Sequence, residues 1–110
     1  MEVLSLSQLA EEQLASAREA SSGRSGRSLH PGQHHRLRQT LVALLGGRSL
    51  DEHESPGEAT LQVLRGRVRL TAGEQSCPGG PGDLLVIPPR RHALHADEDA
   101  VVLLTVTPRP

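Results

Sequence analysis

From Glu58 to Val106 no apolar run exceeds seven residues. EATLQVL, RVRLTA, LLVI, HALHA and AVVLLTV are separated by Arg65-Gly66, Gly73, CPGGPGD, PPRR and DED. A helix buries a face through ten or more residues of 3.6-residue periodicity, and none of these intervals holds one. The second half of the chain therefore reads as the short strands of an all-β sandwich or barrel. Within GRVRL, Val68 and Leu70 fall on one face and Arg67 and Arg69 on the other, the pattern of a strand with one buried and one wet side.

The first half differs. Residues 7–20 are expected to form the one helix, with Ser7 as N-cap, Glu11 and Glu12 near its positive end, and Leu6, Leu9, Ala10, Leu14 and Ala17 as an apolar stripe. SSGRSGRS at 21–28 breaks it, and Pro31-Gly32 marks a turn. The second half of HHRLRQTLVALL then reads as a strand that Gly46-Gly47 ends. This divides the 110 residues into a helix and linker at 1–33, a β domain at 34–107 and a tail at 108–110, within the size of one compact domain.

Phe, Trp and Tyr are absent, so the core is built from Leu, Val, Ile and Ala, and recognition by ring stacking is excluded. Twelve cations, all Arg, against thirteen acids give a net charge of -1, which lacks the basic excess of a nucleic-acid binder. The five arginines between 24 and 48 read as a solvated loop and strand edge. With one helix before the β region there is no helix-turn-helix. Cys77 is the single cysteine, which excludes an internal disulfide or a paired-Cys zinc site. With no signal peptide and no membrane-length apolar stretch, the expected location is cytoplasmic, without membrane contact.

Two glycine- and proline-punctuated frames carry a pair of histidines. In GRSLDEHESPGEATLQVLRG, Gly47 precedes His53 by six positions and Gly66 closes the frame; Pro56-Gly57 punctuates the entry to the following strand, and Gly66 is expected to turn a hairpin. In GDLLVIPPRRHALHA, Gly82 leads to Pro88 and His92. Over roughly residues 34–106 these frames resemble the two motifs of the cupin superfamily, in particular small single-domain cupins often labelled LuxR-like. The resemblance implies a jelly-roll β-barrel (RmlC-like) behind a short N-terminal helix.

In metal-binding cupins three histidines and a glutamate hold the ion. Here the second histidine position is Ser55, the glutamate position Ala59 and the terminal asparagine position Ala96, while Arg90 stands where glycine is usual. His53 and His92 remain, fewer than the three protein ligands that stable sites use. Glu58, one residue from the carboxylate position, faces the barrel only if a bulge shifts it.

The inner face is expected to carry Ala59, Leu61, Val63, Val68, Leu70, His92 and Leu94. The leading expectation is a non-catalytic binding or sensor protein for a small, mostly apolar molecule, with Leu61, Val63 and Leu94 lining the site and His53 and His92 as polar contacts at its mouth. The alternative is a metal-dependent oxygenase or isomerase, with His53 and His92 holding a divalent metal (Zn, Ni, Fe, Mn or Cu). His30, His34, His35 and His95 are expected at the surface. A homodimer is expected, because VALL at 42–45 and AVVLLTV at 100–106 read as apolar edge strands that need covering.

Overall fold

The computed structural model describes residues 1–55 and 57–108. In chain order it contains α1 (Leu6–Glu19), β1 (Arg24–Ser28), β2 (Arg38–Leu44), β3 (Ser49–His53), β4 (Gly57–Arg65), β5 (Val68–Ala72), β6 (Gln75–Gly79), β7 (Leu84–Val86), β8 (His92–Ala96) and β9 (Ala100–Pro108). Two antiparallel sheets form, one in the order β1-β2-β9-β4-β7 and the other β3-β8-β5-β6. This is the expected jelly roll. Pro56 and residues 109–110 of the expected tail lie outside the described residues, while Pro108 ends β9.

Alternation along the strands builds two cores. Between the sheets, Leu44, Ala59, Leu61, Val63, Val68, Leu70, Leu85, Leu94 and Val102 pack together with their neighbours. On the outer side of the first sheet, Leu41, Ala43, Val101 and Leu103 meet Leu9, Ala10, Leu14 and Ala17 of α1, the apolar stripe read from the sequence. β9 is thus buried on both faces, which is why AVVLLTV is continuous rather than alternating.

Several local expectations need correction. The N-cap is Ser5, whose side chain accepts from the Gln8 amide, because the helix begins at Leu6. The expected linker contains β1, paired along its length with β2. The cysteine-proline stretch is a strand as well. Gly73 (φ 58°) and Glu74 form a two-residue hairpin loop between Ala72 and Gln75, so β6 returns alongside β5 at the sheet edge, where Pro78 has no inner neighbour needing its missing N–H. Gly66 (φ 75°) does not turn a hairpin, since β4 and β5 lie in different sheets; it carries the chain from one sheet to the other. Residues 42–45 and 100–106 are not edges either. β9 lies between β2 and β4, β2 between β1 and β9, and α1 covers their outer side chains, so the apolar surface that suggested a second copy is covered within the chain.

An ion pair between Glu11 and Arg65 ties α1 to β4. The Arg65 guanidinium holds the Glu11 carboxyl below its ordinary pKa through a hydrogen bond and its charge. A carboxyl lowered in the folded state adds stability above its unfolded value and loses it as pH falls through the folded one. Glu11→Gln is therefore expected to lower the melting temperature slightly at neutral pH, with the difference from the parent vanishing at acid pH in paired thermal melts. The effect is small because the pair is solvent-exposed.

Candidate functional site

The sequence places His53 and His92 on separate strands, and the register brings them together. Leu50 pairs with Leu94 and His53 with His92, so the single residue Ala93 of β8 faces two of β3 and a bulge falls at Asp51 and Glu52. Without the bulge His53 would point to the face opposite Leu50; the extra residue returns it to the inner face beside His92. The two rings meet edge to face with centroids 4.4 Å apart. His92 is 3 % exposed and His53 is open to solvent, so the pair sits at the barrel mouth.

Backbone carbonyls fix both rings. His53 Nδ1 donates to the Asp51 carbonyl (2.8 Å) and His92 Nδ1 to the Arg90 carbonyl (2.9 Å). A carbonyl only accepts, so in each neutral imidazole the proton is on Nδ1 and the lone pair on Nε2. Neither Nε2 is bonded to a described residue, leaving two acceptors at the mouth.

The surrounding side chains are committed elsewhere. Ser55 is buried and its Oγ donates to the Gly57 carbonyl (2.9 Å). Ala59 presents a methyl group to the core. Glu58 is exposed in regular register opposite Thr107, with no bulge to turn it inward. Glu52 and Glu54 both bind Arg91, at 2.9 and 3.1 Å, which raises the Arg91 pKa through those hydrogen bonds.

Leu61, Val63 and Leu94 are packed in the core between the sheets. A cavity of about 430 Å³ opens instead between the β6 and β7 edges, lined by Leu70, Ala72, Gln75, Cys77, Leu85 and Pro88 among others. It shares an end of the barrel with the histidines. β8 pairs with β5 through Ala93 opposite Thr71, so continuing that register sets Ala72 beside His92, and Ala72 in turn pairs with Gln75. One row across the sheet thus runs His53, His92, Ala72, Gln75. The cavity residues of β6 were missed because CPGGPGD reads as a turn; taking Gly73-Glu74 as a hairpin loop would have placed Gln75 and Cys77 opposite Ala72 and Leu70.

The other histidines lie elsewhere. His95 alternates onto the outer face, half-buried between Ser49 Oγ (2.7 Å) and Thr71 Oγ1 (3.1 Å). In the segment between β1 and β2, His35 stacks on His30 and meets His34 edge to face. Among the described residues no helix is long and apolar enough to cross a membrane.

The Cupin_2 family, described as "Cupin domain", matches residues 40–107. The chain belongs to the cupin family. No curated protein matches it. Among solved structures it is similar to the conserved SPY1581 protein of unknown function from Streptococcus pyogenes, at 27% identity and a TM-score of 0.76 over 99% of this chain and 89% of that one. It is also similar to a cupin superfamily protein from Desulfitobacterium hafniense, at 22% identity and a TM-score of 0.72 over 78% of each chain. A salicylate 1,2-dioxygenase from Pseudoaminobacter salicylatoxidans, in complex with gentisate, shares the fold at 15% identity and a TM-score of 0.78; the match covers 91% of this chain and 32% of the enzyme. The cupin fold serves both binding proteins and metal-dependent enzymes.

The donor set of this cupin does not fit the family's metal centre. Two imidazoles meet edge to face, but the third and fourth positions are a hydroxyl bonded to backbone and a methyl group. Among the described residues no group of three or more His, Cys, Asp and Glu side chains is arranged to hold a metal ion.

Proposed function

We propose that this cupin is a non-catalytic binding protein that holds a small, mostly apolar molecule at the barrel end where His53 and His92 meet. One observation carries the reading: two imidazoles with free Nε2 acceptors lie in the same strand row as residues of an open cavity, where Leu70, Ala72, Leu85 and Pro88 stand beside the polar Gln75, Ser76 and Cys77. Its volume of about 430 Å³ falls toward the small end of ligand pockets, which run roughly 300–1,000 Å³. A metal-dependent oxygenase or isomerase is less well supported, since the remaining ligand positions hold a serine hydroxyl bonded to backbone and an alanine methyl in place of a histidine and a carboxylate.

Native mass spectrometry of gently purified protein tests this, with elemental analysis before and after chelation. The expected result is an organic adduct that chelators leave in place, with no stoichiometric metal. His92→Ala is expected to weaken binding of the eluted molecule by roughly 1–3 kcal/mol through an unmatched polar group, with His53→Ala acting in the same direction. One equivalent of metal that chelation removes, and that either alanine variant abolishes, overturns the reading in favour of a metal-dependent cupin.

A further inference from the structure

Charge at the lip of the cavity narrows what enters it. Six of the named lining residues are Leu70, Ala72, Gln75, Cys77, Leu85 and Pro88, and none of the lining residues is acidic. Arg90, in the segment between β7 and β8, reaches across to β6, where its guanidinium donates to Gln75 Oε1. That contact places the Arg90 charge beside Gln75, a residue of the cavity lining. The adjacent Arg91 is matched by Glu52 and Glu54, whereas Arg90 makes no ion pair with any described carboxylate. Arg90 also supplies the carbonyl that orients His92, so the cation and the inner imidazole belong to one local unit.

An unneutralised guanidinium beside a cavity with an aliphatic side favours an anion that carries an apolar body. A planar, bidentate donor fits a carboxylate best. The apolar part of the lining is aliphatic, and the chain has no Phe, Tyr or Trp to stack on a ring, which favours an aliphatic body. We infer that the ligand class is a small aliphatic carboxylic acid, with its carboxylate on Arg90 in place of Gln75 and its chain over Leu70 and Leu85. This inference rests on the proposed small-molecule site and adds the head group.

Cys77 makes the test direct, because the single thiol of the chain is exposed and lines the same cavity. Its alkylation by iodoacetamide is followed with octanoate, 1-octanol or n-octylammonium present, each below its micelle-forming concentration. The three probes share an apolar body and differ in head-group charge. Octanoate is expected to protect at about tenfold lower concentration than octanol, the order of a charge-assisted contact, and octylammonium least. Arg90→Gln, at an exposed position, is expected to erase the octanoate advantage and leave octanol protection unchanged, while Arg91→Gln retains the advantage. Equal protection by octanoate and octanol, a preference for octylammonium, or an advantage that survives Arg90→Gln overturns the carboxylate inference and leaves the small-molecule site standing. Absence of protection by all three overturns both.

Discussion

Gly66→Ala is expected to destabilise the fold by roughly 2–5 kcal/mol, the sum of about 1–2 for a left-handed backbone and about 1–3 for displacing packed atoms. Gly66 has φ 75°, and a β-carbon there would fall onto the Asp99 carbonyl oxygen and within 2.8 Å of the Ala100 Cα. Those atoms are backbone at the start of β9, the strand buried on both faces, so no side-chain rotation relieves the clash. Gly73→Ala is the matched control: φ is 58° but nothing lies within 4 Å of the added carbon, so only the backbone cost of about 1–2 kcal/mol applies. Urea unfolding of both variants is expected to show the Gly66 midpoint well below the Gly73 midpoint at similar m-values. Equal losses would show that the approach of β9 to the sheet-crossing turn is unimportant.

That turn also illustrates what a linear reading recovers. A glycine between two alternating runs announces a positive φ, and the structure has one. It does not say whether the runs pair with each other, because a tight turn between paired strands and a crossing between sheets draw on the same residue. β6 was hidden by composition: QSCPG holds proline, glycine and no large apolar side chain, yet an edge strand needs only one hydrogen-bonded side. β1 was hidden for a related reason, since RSGRS is almost wholly exposed and is held by its register with β2. Strands with one buried face, such as β4 and β5, were legible because burial imposes alternation on sequence.

The histidine pair was legible from its spacing within two punctuated frames, and the vacant ligand positions at Ser55 and Ala59 could be named the same way. The bulge at Asp51 and Glu52 could not, although it alone returns His53 to the inner face. Nor could the cavity, which depends on two strand edges standing apart rather than on any local signal. Leu61, Val63 and Leu94 alternate inward as expected into the core between the sheets, and Leu70 and Leu85 belong to that core while also lining the cavity.

A chain beginning at residue 34, the boundary suggested by composition, is expected to lose cooperative folding. It lacks α1 and β1, and so uncovers Leu41, Ala43 and Val101, each 0% exposed in the intact fold, together with Leu103. Burial of a large aliphatic side chain contributes roughly 1.5–3 kcal/mol, so three such residues match much of the about 5–15 kcal/mol that holds a domain together. β2 would also become an apolar edge, inviting the self-association that β1 prevents. Thermal melts followed by circular dichroism, with light scattering, are expected to show a broadened transition and aggregates, and a synthetic peptide of residues 1–33 added in trans is expected to restore a sharp one. A truncated chain that stays monodisperse and melts as sharply as the parent would mean that the inter-sheet core suffices by itself. The helix would then be an accessory layer. Against that outcome stands β9, whose outward Val101 and Leu103 are as apolar as its inward Ala100 and Val102, a composition that makes physical sense only with both faces covered.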